Sequence, residues 1–366
     1  MLRTSLKQAI EAHGPIPIST YMRQCLTHPT DGYYVKQDPF GSKGDFITSP
    51  EISQMFGELV GINILMQWME QGSPKKIRLA ELGPGRGTLM DDLLRTVKSF
   101  PDFFNAIQTV DLVEASPTLR NLQKQRLGRY GLNLNWFEMT RQVPKDKVPT
   151  YLVAHEFFDA LPIQQFQLTE KGWQERMVMF NKAEDEFQTT LQPVNPLMSQ
   201  TLAAQPRFTK LPLTSEIELS TESWQVAREI GHTLSSNTGS ALIIDYGPLS
   251  TIPVNTFRGF SKHKQVSPYD MPGDSDLTAD VDFQALKDIF SSFKSLNSFG
   301  PVMQGDWLHQ MGIGARATVL ANSQQSAEGK QRIADAYNRL TDMQFMGKTY
   351  KVMNVSTGHE STGFQQ

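Results

Sequence analysis

The sequence predicts an α/β fold whose core is a parallel sheet covered by helices on both faces, and three observations predict it. Short apolar runs at 77–82, 110–113, 132–137 and 151–154 alternate with helical patterns over 88–100 and 118–127. The run 151–154 is apolar throughout and the others carry only one or two polar residues each, as strands buried on both faces do. The next run of that kind, 240–245, comes only after a long stretch of shorter strand-like pieces, so a large, mostly antiparallel α+β subdomain is inserted into the sheet.

Each element has its own warrant. Leu2, Leu6 and Ile10 space a helix over 2–13, and Tyr21, Met22, Cys25 and Leu26 a second over 19–28, with Ser19 as its N-cap. Residues 31–48, DGYYVKQDPFGSKGDFIT, are too polar and broken for a packed element yet too aromatic for a linker, and read as an ordered functional loop. Ile52, Phe56, Leu59, Val60, Ile64 and Met66 describe one long helix to Glu70, capped by Ser49 with Pro50 at its first position. Within the insertion, strand-like pieces cover 165–168, 174–180, 186–191 and 213–219, followed by a helix through Trp224 and Ile230. Helices near 281–290, 303–320 and 327–346 and a last strand 348–355 close the chain. The expected domains are an N-terminal segment 1–75, a core of 76–160 with 236–366, and the insertion 161–235.

With 366 residues, 39% of them hydrophobic, the chain can bury a large core. Its net charge of -3, with both signs well mixed, argues against a general nucleic-acid or membrane-surface binder. No apolar run approaches the roughly 20 residues that span a bilayer. A single cysteine, Cys25, excludes an intramolecular disulfide and a multi-cysteine zinc site, and no metal is expected. The opening MLRTSLKQAIEAHG carries Glu11 and reads as a folded helix, with no clear presequence.

The chemistry starts at LAELGPGRGT, 79–88. A glycine-rich turn after the first strand of an open sheet lets a ligand touch the backbone. Dinucleotide loops read G-x-G-x-x-G and hold a pyrophosphate with backbone N–H groups. Here the pattern is G-x-G-x-G, Pro84 removes a donor, and Glu81 stands at the strand end before Gly83. A carboxylate there repels a diphosphate but suits a cofactor with a sulfonium, an ammonium and no phosphate, S-adenosylmethionine. Glu114 ends the second strand about thirty residues on, where an acid accepts ribose hydroxyls. The competing structural reading makes both acids plain strand ends and the glycines a tight turn.

The fourth strand runs into HEFFDALP, 155–162. If the segment turns helical, Glu156 and Asp159 share a face, and two carboxylates suit the planar, forked guanidinium of arginine. These acids then hold the guanidinium and accept its proton, with His155 as relay or cofactor contact. The alternative is that both acids cap a helix and His155 is a core histidine.

Together GYYVKQDPFGSKGDFITSPEISQMFGELVG, LAELGPGRGTLMDDLLR, HEFFDALPIQQFQ, DYG at 245–247 and DLTADVDF at 276–283 resemble the MidA family, from about residue 15 to the last strand. The resemblance implies a seven-stranded Rossmann-like class I methyltransferase sheet with N-terminal helices. It implies S-adenosyl-L-methionine as cofactor, held by Gly83, Gly85, Arg86, Gly87, Thr88, Glu114 and Ala115, with Phe46, Thr48, Ser49 and Pro50 folding over it. The activity it implies is symmetric dimethylation of an arginine on a quinone-module core subunit of respiratory complex I, in the mitochondrial matrix, supporting assembly. His155 stands where many bacterial members have asparagine. SEIELSTESW, 215–224, matches an acidic family element loosely and makes Glu218 a pocket candidate. A non-catalytic assembly chaperone, a small-molecule methyltransferase and a dinucleotide enzyme are the competing functions, and a homodimer stays open.

Overall fold

The computed structural model describes residues 1–36, 48–249, 255–359 and 362–364. Two compact units emerge. One comprises 1–46, 159–225 and 250–282, the other 47–158, 226–249 and 283–366. The division differs from the expected domains: the first helices group with most of the insertion, and 250–282 joins them.

The second unit is built on a seven-stranded sheet whose strands, in chain order, are β1 (Ile77–Leu82), β2 (Ile107–Val113), β3 (Leu134–Phe137), β4 (Thr150–His155), β5 (Gly239–Tyr246), β6 (Asn297–Met303) and β7 (Tyr350–Ser356). Their spatial order is β3-β2-β1-β4-β5-β7-β6. The first five are mutually parallel, and β7 runs antiparallel to both β5 and β6. Every residue of β1, β4 and β5 is buried, which is why apolar residues dominate both faces of these strands rather than alternating with polar ones. This is the sheet that the resemblance implies.

Two departures have clear causes. Strand β6 was not expected, because its sequence NSFGPVM contains Gly300 and Pro301. Proline lacks the N–H that a central strand needs, but β6 is at the edge, and its register shifts between Phe299 and Val302. The expected helix 50–70 is two helices, Ser49–Ile52 and Gln54–Glu70, with Ser53 extended between them and its hydroxyl accepting the Met55 N–H at 3.2 Å. Thr48, not Ser49, occupies the N-cap of the first.

Helix Gln54–Glu70 is buried on nearly all sides. It sits hard against helix Thr88–Val97: a Cβ at Gly57 would lie 2.6 Å from Asp92 Cβ, and one at Gly61 3.2 Å from Leu93 Cα. Its buried Glu58 accepts from Arg95 and, through two nitrogens, from Arg316, so the carboxylate is paired as buried charges must be.

In the first unit, strands Gln164–Thr169, Gly172–Asn181, Glu186–Pro193 and Glu216–Leu219 form an antiparallel sheet, to which Ile16–Pro17 adds a short pairing. Leu6, Ile10, Tyr21, Met22 and Leu26 of helices Leu2–His13 and Ile18–Thr27 join Val178, Phe180 and Phe187 in one core. The second helix starts at Ile18 with Pro17 at its cap, which leaves Ser19 inside it and overturns the expected cap. A small three-stranded sheet, Arg258–Ser261, Lys264–Val266 and Asp276–Thr278, was not expected, its strands being too short to show a period. No helix of the described residues is long and apolar enough to cross a membrane.

Candidate active site

Strand order reverses beside β1, with β2 on one side and β4 on the other, and open α/β sheets hold ligands outside the carboxyl ends of their strands at such a point. Acidic and imidazole groups gather at those ends. Glu114 directly follows β2, Glu81 is the penultimate residue of β1, His155 ends β4 with Glu156 after it, and Asp245 is the penultimate residue of β5.

The glycine turn is built as its spacing suggested. Gly83, Gly85 and Gly87 have φ of 62°, 53° and 75°, the left-handed region that glycine adopts without strain. At Gly83 the space is also closed: a Cβ would meet Phe157 Cδ2 at 2.9 Å, and its N–H donates to the Val113 carbonyl at 2.9 Å. Gly87 caps helix Thr88–Val97. Two predicted cofactor residues have protein partners: Thr88 Oγ1 accepts from Arg126 at 2.7 Å, and Arg86 pairs with Glu51 at 3.6 Å. Ala115 is exposed. Thr48, Ser49 and Pro50 form the start of the short helix ahead of Ser53, with Ser49 fully buried, while Phe46 lies outside the described residues.

Glu81 carries the electrostatic argument. It is 3% exposed, and among the described residues its Oε2 has no hydrogen-bond partner. Burial, with the Glu114 charge adding to it, pushes its carboxyl up to about 8. Glu114 is pushed up to about 7 by burial, against the N–H of Ser116 at 2.8 Å and the amide of Gln123. A buried acid with an unpartnered oxygen among the described residues, its protonation favoured further by a second, half-buried acid, forms a place for positive charge and hydroxyl donors and a poor one for phosphate. The donor set therefore fits S-adenosylmethionine. No cluster of metal-ligating side chains occurs among the described residues.

The segment after β4 departs from expectation. Residues 156–161 form bends and a turn, not a helix, so Glu156 and Asp159 share no helical face. What shapes the start of the segment is Asp245, fully buried, whose Oδ2 accepts the N–H groups of Phe157 and Phe158 at 3.2 and 3.0 Å. Glu156 takes a left-handed φ of 48°, costly for a residue with a Cβ, and its N–H donates to the Ile244 carbonyl. Its Oε1 accepts the Tyr350 hydroxyl at 2.8 Å. His155 packs against Phe56, and its Nε2 stands 3.7 Å from Glu156 Oε1. Burial pushes the imidazole down to about 3, so it is neutral at physiological pH.

Asp159 belongs to the first unit, where its Oδ2 accepts the Thr278 hydroxyl at 2.9 Å and its carbonyl the Ala279 N–H at 3.2 Å. This joins HEFFDALP to DLTADVDF. Glu218 lies in the antiparallel sheet of the same unit. Its Oε1 accepts from Gln165 and from the N–H groups of Thr256 and Phe257, and its Oε2 from the Thr256 hydroxyl, so the carboxylate fastens residues 256–257. Sequence reasoning missed Gln123, Tyr350 and Asp245. For Asp245 a signal was present, since DYG ends a strand adjacent to β4.

Comparison with known proteins agrees with this geometry. The chain is 36% identical to the mitochondrial protein arginine methyltransferase NDUFAF7 of Xenopus tropicalis, over 94% of this chain and 83% of the relative. It is 35% identical to the human protein of that name, over 96% and 82%. A crystal structure of a Burkholderia thailandensis protein bound to S-adenosyl-homocysteine superposes with a TM-score of 0.84 at 25% identity, covering 99% of this chain and 93% of that one. The family model Methyltransf_28 matches residues 59–302, from the helix ahead of β1 into β6, and the chain belongs to that family of S-adenosyl-L-methionine-dependent methyltransferases.

Proposed function

We propose that this chain is a protein arginine methyltransferase that takes the methyl group of S-adenosylmethionine to an arginine of a protein client. The observation that carries the cofactor side is the buried Glu81 carboxylate with its unpartnered oxygen at the head of the glycine turn. The relatives named as protein arginine methyltransferases, aligned over nearly the whole chain, support the substrate class.

When bound, the cofactor supplies a methyl group on a cationic sulfur. Glu81 holds its positive charge and Glu114 its ribose hydroxyls. Arginine must yield a proton in the transfer, but a free pKa of about 13 makes loss in advance cost roughly 8 kcal/mol at pH 7. Glu156 instead binds the guanidinium as a charge-assisted acceptor and takes up the proton as the new bond forms. His155, neutral, adds no competing positive charge beside it. Asp159, the other acid of the segment, accepts the Thr278 hydroxyl within its own unit and is tested separately. The relatives' names support a mitochondrial compartment. A complex I subunit as client and symmetric dimethylation in the matrix are what the MidA resemblance implies, and we carry them as part of the proposal.

The test is transfer of isotopically labelled methyl from S-adenosylmethionine to a panel of arginine-containing proteins, with the modified residue located by mass spectrometry. Glu156→Gln and Asp159→Asn each lose transfer and keep cofactor affinity. Parent-rate methylation by Glu156→Gln, or label found only on residues other than arginine, refutes the assignment.

A further inference from the structure

We propose that Gln123 is a positioning residue for the ribose of the cofactor, acting through Glu114; this rests on the reading that gives Glu114 the ribose hydroxyls. Gln123 lies on helix Pro117–Leu127 and is completely buried. Its side-chain nitrogen donates to the Gly85 carbonyl at 2.7 Å and, more loosely, to Glu114 Oε2 at 3.4 Å. Its oxygen accepts the indole N–H of Trp136, on β3, at 2.8 Å.

The tryptophan decides the orientation. An indole nitrogen can only donate, so the amide oxygen must face Trp136 and the NH2 group must face the turn and the acid. One buried side chain thus ties together the central glycine of the turn, the acid at the end of β2 and the edge strand β3. Glu114 is held from both sides, Oε1 by the Ser116 N–H and Oε2 by Gln123. The stem of Gln123 also lies against the turn, since a Cβ at Gly87 would come within 3.3 Å of its Cγ. Helix Pro117–Leu127 therefore sets the distance between the glycine backbone and the carboxylate that receives the sugar.

A residue that only fills space would weaken binding of any adenosyl ligand equally, whereas one that aims Glu114 matters in proportion to the hydroxyls the ligand presents. The probes are S-adenosyl-homocysteine and its 2′-deoxyribose analogue, titrated by calorimetry into the full chain. Gln123→Met keeps the length of the side chain and removes the amide. It weakens S-adenosyl-homocysteine about tenfold, the scale of one buried hydrogen-bonding group, and the deoxy analogue much less, so the preference for ribose collapses. Gln123→Leu, which removes donor and acceptor in a smaller apolar side chain, gives the same collapse and serves if Gln123→Met does not fold. Equal weakening of both ligands, or an undiminished preference in a folded variant, overturns the positioning role. Glu114→Gln separates the two levels. If it loses the preference while the Gln123 variants keep it, only the positioning role is wrong; if it too keeps the preference, the ribose assignment and the role fall together.

Discussion

Cofactor binding to this chain is expected to release protons, and Glu81 sets how many. Its carboxyl, pushed up to about 8 by burial, is mostly protonated at pH 7 in the unliganded protein. A cation beside it favours the carboxylate, so the proton leaves as the ligand enters. Glu114, pushed up to about 7, adds up to about half a proton at the same pH when ribose hydroxyls donate to it. Ionising Glu81 costs about 1.4 kcal/mol for each pH unit below its pKa, so the affinity for S-adenosylmethionine tightens about tenfold from pH 6 to pH 7 through this group alone. Over that interval the α-amino group of the ligand is mostly protonated and contributes little. Calorimetry in buffers of different ionisation heat measures the proton count directly. Glu81→Gln removes about one proton from it at pH 6, flattens the pH dependence to the share of Glu114, and weakens binding. A parent protein that binds with no proton release and with constant affinity from pH 6 to 7 refutes the electrostatic reading of the site.

The same groups govern stability. Between about pH 4.5 and 8 the unliganded fold keeps a proton on Glu81 that the unfolded chain has lost, so stability falls as pH rises, and Glu81→Gln is expected to unfold at higher denaturant than the parent at pH 8. His155 has the opposite sign: neutral in the fold down to about 3 but protonated in the unfolded chain below about 6.5, it costs stability as pH falls through that window, and His155→Asn flattens the acid limb of a denaturation series. Gly83→Ala forces a Cβ both into a left-handed backbone and against Phe157, so it lowers the thermal midpoint, and Phe157→Leu in the same chain recovers only part of the loss, because the backbone term remains. Tyr350→Phe removes the hydroxyl that holds Glu156 while keeping the ring edge against Tyr246, and is expected to lower kcat about tenfold with the Kd for S-adenosylmethionine unchanged.

The parts of this architecture that could be read in sequence are those with a local cause. The buried strands β1, β4 and β5 announce themselves by short, mostly apolar runs, and the turn at 83–87 by glycines that φ and close packing demand. The positions of Glu81 and Glu114 were legible because each stands at the end of a strand that its own run of residues marks, Glu81 with the glycine turn behind it. Whether HEFFDALP turns helical was not legible, because its shape is not local: Asp245 on another strand takes up the Phe157 and Phe158 amides. Gln123 was invisible for the same reason, as an amide on a polar helix gives no sign that its partners are a glycine carbonyl, an acid and an indole from three other elements. Ser53 hid in the middle of a helical pattern because the apolar spacing continues on either side of the break.

The grip of Asp245 on Phe157 and Phe158 has a consequence for biogenesis. The two ends of that grip are 88 and 87 positions apart, so a nascent chain carrying everything through β4 has its glycine turn but nothing to fasten the stretch bearing Glu156. Ribosome-bound intermediates that stop short of β5 are therefore expected to leave this stretch open to protease, with a first gain of protection when Asp245 emerges and a second only when Tyr350 follows.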